Sequence, residues 1–258
     1  MLAIYKKELR SYFNTPIGYV FVGIFLALSA LVCCYTTLQS NSYDTALYFY
    51  CMIFAFVILI PILAMRSFAE ERKQKTEQLL LTAPVTLTGM VLGKYFAALT
   101  MFVGTVLVSC INFIPLYVIA AEERAAVATT ANPVIGPTTP YIIGSLIGLI
   151  LLGAALIALG IFISSLTENQ LSAAVISIGV IAMMIILGLV NQIGTDAEGN
   201  RLISSYAVRV VIDWISVLSR FYNLSYGLLD FSALLYYVSI SAVFIFLTIR
   251  IYEKRRWG

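Results

Sequence analysis

Six blocks of apolar sequence, each about 20 residues long and nearly free of charge, dictate what this chain can fold into, because that is the length an α-helix needs to cross about 30 Å of hydrocarbon. They run from about Ile17 to Leu38, Ala46 to Met65, Val91 to Ala121, Tyr141 to Leu166, Leu171 to Ile193 and Ala233 to Tyr252. With 61% hydrophobic and 11% charged residues and a mean hydropathy of +0.95, the chain departs from the soluble range of about 45–50% apolar and 25% charged. The expected fold is all-α: one polytopic membrane domain over 1–258 with six transmembrane helices. Pro61 predicts a kink near the end of the second run. The third run exceeds one crossing and contains Pro115, which predicts an extension, a tilt or a break.

Six crossings put both termini on one side of the membrane. Lys and Arg number three before the first run, five from Arg66 to Lys94 at the start of the third and four from Arg250 to the C-terminal end, about 12 in all. The other side holds Arg124, Arg201, Arg209 and Arg220. The positive-inside rule therefore predicts cytosolic termini. Residues 1–16 are too polar for a signal peptide and are expected to stay on the mature protein. They predict an interfacial helix with Leu2, Leu9, Tyr12 and Phe13 set against Lys6, Lys7 and Arg10, before the chain turns into the membrane at Pro16. A net charge of +3 is too small to imply nucleic acid as a partner.

The available chemistry is narrow. Cys33, Cys34, Cys51 and Cys110 all lie inside apolar runs, without the spacing of a metal site, and read as packing residues. The absence of histidine removes the usual metal ligand, general base and pH switch. No run has a charge near its centre, which excludes an obvious proton relay or ion site. Gly89-Met90-Val91-Leu92-Gly93-Lys94-Tyr95 is one residue short of a P-loop between its glycines and ends in Tyr. The chain is not expected to be an enzyme, nor to bind a cofactor or metal itself.

Two connecting segments carry pattern. On the outer side, 194–232 places Val208, Val211, Ile212, Ile215, Leu218 and Phe221 at helical spacing, predicting an amphipathic helix. A seventh crossing there would strand Arg209 and Asp213 in lipid at about 2.5–3.5 kcal/mol each. On the cytosolic side, 66–88 allows Glu70 to pair with Lys73 or Gln74, Glu71 with Lys75 and Lys73 with Glu77 along a helix ending at Leu79-Leu80-Leu81, ahead of Ala83-Pro84. That helix reads either as a solvated loop or as a docking element for a soluble partner. Gly144-Ser-Leu-Ile-Gly148, followed by Gly153 and Gly160, reads as close helix packing within the chain or as a dimer contact. Ser109, Asn112 and the aromatic second run, with Tyr48, Phe49, Tyr50, Phe54 and Phe56, are candidates to line a path for apolar or amphiphilic cargo, although interfacial belting accounts equally well for Tyr48 and Tyr50.

Three stretches resemble the permease subunits of type-2 ABC transporters, in particular the branch with the gliding-motility and nitrous-oxide-reductase maturation permeases. Glu70-Glu71-Arg72 with Thr76 through Pro84 is similar to that family's E-x-R-x-x-G-T-x-E-x-L-L-x-(T/S)-P signature, with Gly93-Lys94 following and Lys75 standing where the family more often has Gly. Ser164 through Gln170 resembles its turn between the fourth and fifth spans. Asp213 through Phe221, Gly227, Asp230 and the basic tail from Arg250 to Trp257 resemble its outer re-entrant segment and C-terminus. The resemblance implies a dimeric permease in a bacterial inner membrane, paired with a second permease subunit as homodimer or heterodimer. A separate ABC ATPase subunit would carry ATP and Mg. It also implies coupling through Glu70, Glu71, Arg72, Thr76, Glu77, Leu79, Leu80 and Pro84, a further cytosolic contact at Glu168 and Asn169, and an outer gate at Trp214, Phe221 and Tyr222. The work done would be export or mechanical. The alternative from a different class is a membrane anchor or assembly scaffold of a gliding-type surface machine that moves no solute.

Overall fold

A computed structural model of the chain describes residues 1–39, 43–78, 86–126, 136–193, 206–227 and 230–257. Among these there are helices and no strands. Helix α1 (Leu2–Asn14) leads into α2 (Pro16–Cys33), which continues as a π-turn over Cys34–Leu38. Thr15 between them is extended, with φ −108° and ψ 150°, as the residue before a proline must be, and Pro16 opens α2 where no N–H is required. Next come α3 (Ala46–Ala64), α4 (Arg66–Lys73) and α5 (Leu87–Ser109). A 3-10 turn at Cys110–Phe113 separates α5 from α6 (Ile114–Ala126). Then follow α7 (Thr139–Leu166), α8 (Gln170–Ile193), α9 (Tyr206–Ile215), α10 (Val217–Ser225) and α11 (Phe231–Trp257).

Six of the described helices are long and apolar enough to cross a membrane: Pro16–Leu38, Ala46–Lys73, Leu87–Arg124, Thr139–Leu166, Gln170–Val190 and Phe231–Arg256. Of the alternatives for the third run, the structure has the break. Pro115 has no N–H to give and its ring excludes the carbonyl four residues earlier, so the helix tightens to 3-10 and restarts with Pro115 in its first turn.

Helix α7 is the axis of the bundle. It packs against α3, α4, α5, α8, α10 and α11, and 67% of its apolar span is buried, against 22–28% for α2, α8 and α11. Close approach in lipid depends on small residues, because lipid tails are as apolar as side chains and van der Waals packing has to supply the attraction. Gly144 and Gly148 show where the backbones meet. A Cβ at Gly144 would lie 2.6 Å from the Leu224 carbonyl oxygen and 2.8 Å from the Gly227 Cα; one at Gly148 would lie 3.0 Å from the Phe221 ring. Both glycines face α10 of the same chain.

The outer segment differs from the single amphipathic helix expected. Ser216 breaks it in two: its Oγ accepts the Ser219 N–H at 3.3 Å as the N-cap of α10, and its side chain is buried where a Cβ on Gly188 of α8 would collide with it. Leu218 and Phe221 are buried together with Val217 and Leu224, whereas Val208, Val211 and Ile215 on α9 are exposed. Residues 194–205 of that segment lie outside the described ones.

The aromatic residues offered as a cargo path are largely core. Phe56 lies 6.2 Å from Phe25 and 5.2 Å from Phe102 between ring centroids, and Tyr48 and Phe49 close on Phe113 at 5.1 and 5.8 Å. All six rings are buried. Tyr50 stacks edge-on against Phe221, and Phe54 is exposed on the outside of α3. Asn112 donates to Ser29 Oγ at 2.9 Å and Ser109 to the Val106 carbonyl at 2.7 Å, so both polar groups are satisfied inside the bundle. These contacts explain the aromatic run by packing, and the path expectation is corrected accordingly.

Gly144→Ala is expected to destabilise the fold by about 1–3 kcal/mol, since the new methyl meets backbone that cannot rotate away. Gly179→Ala, where nothing lies within 4 Å, is expected to be neutral or slightly stabilising. Thermal unfolding of the two variants in one detergent distinguishes them.

Candidate functional site

The described charges concentrate where α4 leaves the second span. Ser164, near the C-terminal end of α7, seats the start of α4: its Oγ accepts the N–H groups of Phe68 at 3.2 Å and Ala69 at 3.1 Å and donates to the Met65 carbonyl at 3.0 Å. Two of the orphan donors at a helix start are thus satisfied by a single hydroxyl. Ser67, Phe68 and Ala69 are buried, and Phe68 stacks on Tyr252 of α11 at 4.7 Å.

The far end of α4 stops earlier than expected. The Lys75 N–H bonds the Arg72 carbonyl at 3.0 Å and the Thr76 N–H bonds the Glu71 carbonyl at 2.9 Å, with Lys75 at φ 57°. That is a Schellman motif, and its left-handed residue is the position where glycine is ordinarily found. The charged helix expected to reach Leu81 is therefore corrected: it ends at Lys73, and the Glu71–Lys75 and Lys73–Glu77 pairs do not form. Gln74 does donate to Glu70, at 3.2 Å. Helical backbone resumes at Glu77 and Gln78; Leu79, Leu80 and Pro84 lie outside the described residues.

Arg66, Glu71 and Arg72 of α4 each reach another element. Arg66 bonds Glu70 on its own helix and Thr15 at the α1–α2 joint, and donates to Ser11 Oγ of α1 at 3.0 Å. Glu71 pairs with Lys94 Nζ of α5 at 2.9 Å and lies 3.8 Å from Lys7 of α1. Lys94 is 2% exposed, and its ammonium also meets Glu8 of α1 at 3.0 Å and the Ser67 carbonyl at 2.7 Å, with the Phe68 ring centroid 4.9 Å away. Three donors find three acceptors, the condition under which a buried charge is tolerated. Beside this cluster, burial and the Glu8 carboxylate push the Tyr12 phenol well above its ordinary pKa, and it donates to the Leu63 carbonyl at 3.1 Å.

Glu77 joins two arginines, Arg72 Nε at 3.3 Å and Arg255 Nη1 of α11 at 3.0 Å. Both guanidinium groups also cover the end of α7: Arg72 donates to the Leu166 and Thr167 carbonyls at 3.3 Å, and Arg255 to the Ser165 carbonyl at 2.7 Å. The unpaired carbonyls and the negative end of the α7 dipole are met by cations. Glu168 stands 3.9 Å from Arg72 with its side chain 82% exposed, and Asn169 is exposed beside it. Thr76 donates to the Glu71 carbonyl at 3.2 Å inside the turn.

The structure thus brings Glu70, Glu71, Arg72, Thr76, Glu77, Glu168 and Asn169 to one end of the bundle, but the first five bond to one another and to span ends. The exposed tip is Lys73, Gln74, Lys75 and Gln78. The three outer-gate candidates do not share one environment. Trp214 is 70% exposed, Phe221 is buried, and Tyr222 is half exposed with its ring 5.0 Å from Tyr226. Sequence reasoning missed Glu8, Lys94, Ser164 and Arg255 as partners in the network. The available signal was a lone cation at the start of an apolar run and a lone acid, Glu8, among the first 16 residues. Among the described residues no group of three or more His, Cys, Asp or Glu side chains is arranged to hold a metal ion.

The family model described as ABC-2 family transporter protein matches residues 21–257, leaving α1 outside the matched region. No curated protein matches the chain.

Lys94→Met leaves the Glu8 and Glu71 carboxylates largely buried with their central partner gone and is expected to cost about 3–5 kcal/mol by chemical unfolding in detergent. Adding Glu8→Gln and Glu71→Gln is expected to recover most of the loss. Lys75→Gly removes the left-handed strain of about 1–2 kcal/mol, partly offset by the freedom glycine adds to the unfolded chain. A net gain of about 0.5–1 kcal/mol is expected, and Lys75→Val should move the unfolding midpoint the other way.

Proposed function

Because the chain belongs to the ABC-2 family of transporter proteins, we propose that it is a type-2 permease subunit whose α4 elbow takes up force from a separate ABC ATPase in the cytosol. In this reading the termini and the elbow are cytosolic in a bacterial inner membrane, ATP and Mg are held by the ATPase, and a second permease subunit completes a homodimer or heterodimer. The work done is export of a substrate, or mechanical displacement across the membrane.

The observation that supports coupling through α4 is the double bridge at Glu77. Arg72 and Arg255 converge on one carboxylate while their other nitrogens bond the end of α7. A displacement of the elbow is therefore carried into the central helix and into α11 without slack. Reversing a 1:99 population of two span arrangements takes about 5.5 kcal/mol of differential binding, and only a stiff connection transmits that much. Glu70, Glu71, Arg72, Thr76 and Glu77 act as positioning residues inside the joint. The surface available to the ATPase is the tip at Lys73, Gln74, Lys75 and Gln78 together with Glu168 and Asn169.

The test uses the protein purified from native membranes with whatever subunit accompanies it. Lys73→Glu with Lys75→Glu is expected to lower permease-stimulated ATP hydrolysis about tenfold, from about 0.5–1 kcal/mol per rim charge, with the unfolding midpoint unchanged. Recovery of no nucleotide-binding subunit, or hydrolysis indifferent to the tip, would favour the scaffold reading instead.

A further inference from the structure

We propose that the outward face of α1 is a binding site for the headgroup of an anionic phospholipid. This site is separate from the α4 tip and does not depend on whether an ATPase docks there.

Helix α1 has two unlike sides. Ile4, Tyr5, Leu9 and Tyr12 pack inward against the bundle, and the one acid of the helix, Glu8, is turned the same way onto Lys94 at 3.0 Å. What faces outward is therefore cationic and polar: Ala3, Lys6, Lys7, Arg10, Ser11 and Asn14 line an open groove of about 590 Å³. Positions 3, 6, 7, 10 and 14 form one stripe at helical spacing. Lys6 and Arg10 have no carboxylate within ion-pair distance among the described residues, and the Lys7 side chain is 65% exposed. Ser11 Oγ, which accepts from Arg66 at 3.0 Å, still has its own O–H to give, and Asn14 carries two amide donors. Three cations around a groove with neutral donors at its end suit a phosphate group.

The lipid, rather than a free anion, follows from what borders the stripe. Leu2 and Phe13 project beside Lys6 and are 66% and 51% exposed. Large apolar side chains flanking a basic face are the composition of a helix that lies in the interface, with its apolar edge among acyl chains and its cations at the headgroups. The anchoring places that edge at the bundle perimeter: the Tyr5 hydroxyl meets Thr100 Oγ1 of the third span at 3.1 Å. Each Lys or Arg near an anionic surface is worth about 1 kcal/mol, or about fivefold in binding.

The full chain in detergent is titrated with short-chain phosphatidylglycerol or phosphatidylcholine, and bound lipid is counted by native mass spectrometry. Wild type is expected to retain phosphatidylglycerol over phosphatidylcholine. Lys6→Gln with Arg10→Gln is expected to weaken phosphatidylglycerol binding about 25-fold at about 0.1 M salt, leaving phosphatidylcholine unaffected. The single variants, each expected at about fivefold, serve if the double variant does not purify. Lys254→Gln with Arg256→Gln, at the other terminus, is expected to change binding less than about twofold. Undiminished phosphatidylglycerol binding by the α1 variants, an equal loss in the C-terminal variant, or displacement of the lipid by equimolar inorganic phosphate each overturns the proposal.

Discussion

An ammonium group removed from water governs how the charged end of this bundle is built. The idealised cost of burying such an ion is of order 20 kcal/mol, and several kcal/mol survive relaxation, so Lys94 can sit at 2% exposure only if each of its protons is received. Its acceptors come from different parts of the chain, Glu8 from α1 and Ser67 and Glu71 from α4. Satisfying one group therefore fixes the relative positions of three helices. An apolar residue at position 94 would leave α1 to the Arg66–Ser11, Tyr12–Leu63 and Tyr5–Thr100 bonds; the ion pairs add directions and lengths that narrow its register further. Specificity of docking, more than net stability, is what a network of this kind supplies.

The same logic extends along α4. Ser164 holds its beginning, Lys94 its middle and the Glu77 bridge its end, so a segment of eight helical residues and a turn is attached at three points to three other helices, α7, α5 and α11. Beneath it, α7 is packed by glycines at one end and capped by arginines at the other. Small residues and cations do different jobs here: the first allow contact where lipid offers no hydrophobic drive, and the second satisfy carbonyls that the helix end leaves open. Together they make the elbow and the central helix one stiff body, whereas α9 on the opposite side exposes Val208, Val211 and Trp214.

How far the sequence could be read depended on whether a feature is local. Span positions follow from run length alone, and the described helices reproduce all six within a few residues. The break ahead of Pro115 follows from the missing N–H of a single residue type. The early end of α4 was harder, because Lys75 has good helix propensity and its neighbours offered plausible i,i+4 partners. Those partners were recruited by residues distant in sequence, Lys94, Lys7 and Arg255, and no window of a dozen residues contains that competition. Ser216 posed the same difficulty: apolar spacing runs through it unbroken, and its burial against Gly188 is a tertiary fact. The aromatic second run misled for a related reason, since a ring facing a path and a ring facing another ring look identical in one dimension.

Helix α1 shows how one short segment can serve two environments without compromise. Its four charges are divided by direction and not by position along the chain: Glu8 goes inward, where a buried cation requires it, while Lys6, Lys7 and Arg10 stay outward. An acid at position 3 instead would have stood at i,i+3 and i,i+4 to Lys6 and Lys7 and offset the stripe, and Lys94 would have lost one of its three acceptors. Turning the single acid inward does both things at once: it completes the interior network and leaves the exterior uniformly positive. Lys7 is the point where the two meet, exposed on one side and 3.8 Å from Glu71 on the other. Charge on the outer face of α1 is thus one residue removed from the carboxylate that anchors the elbow.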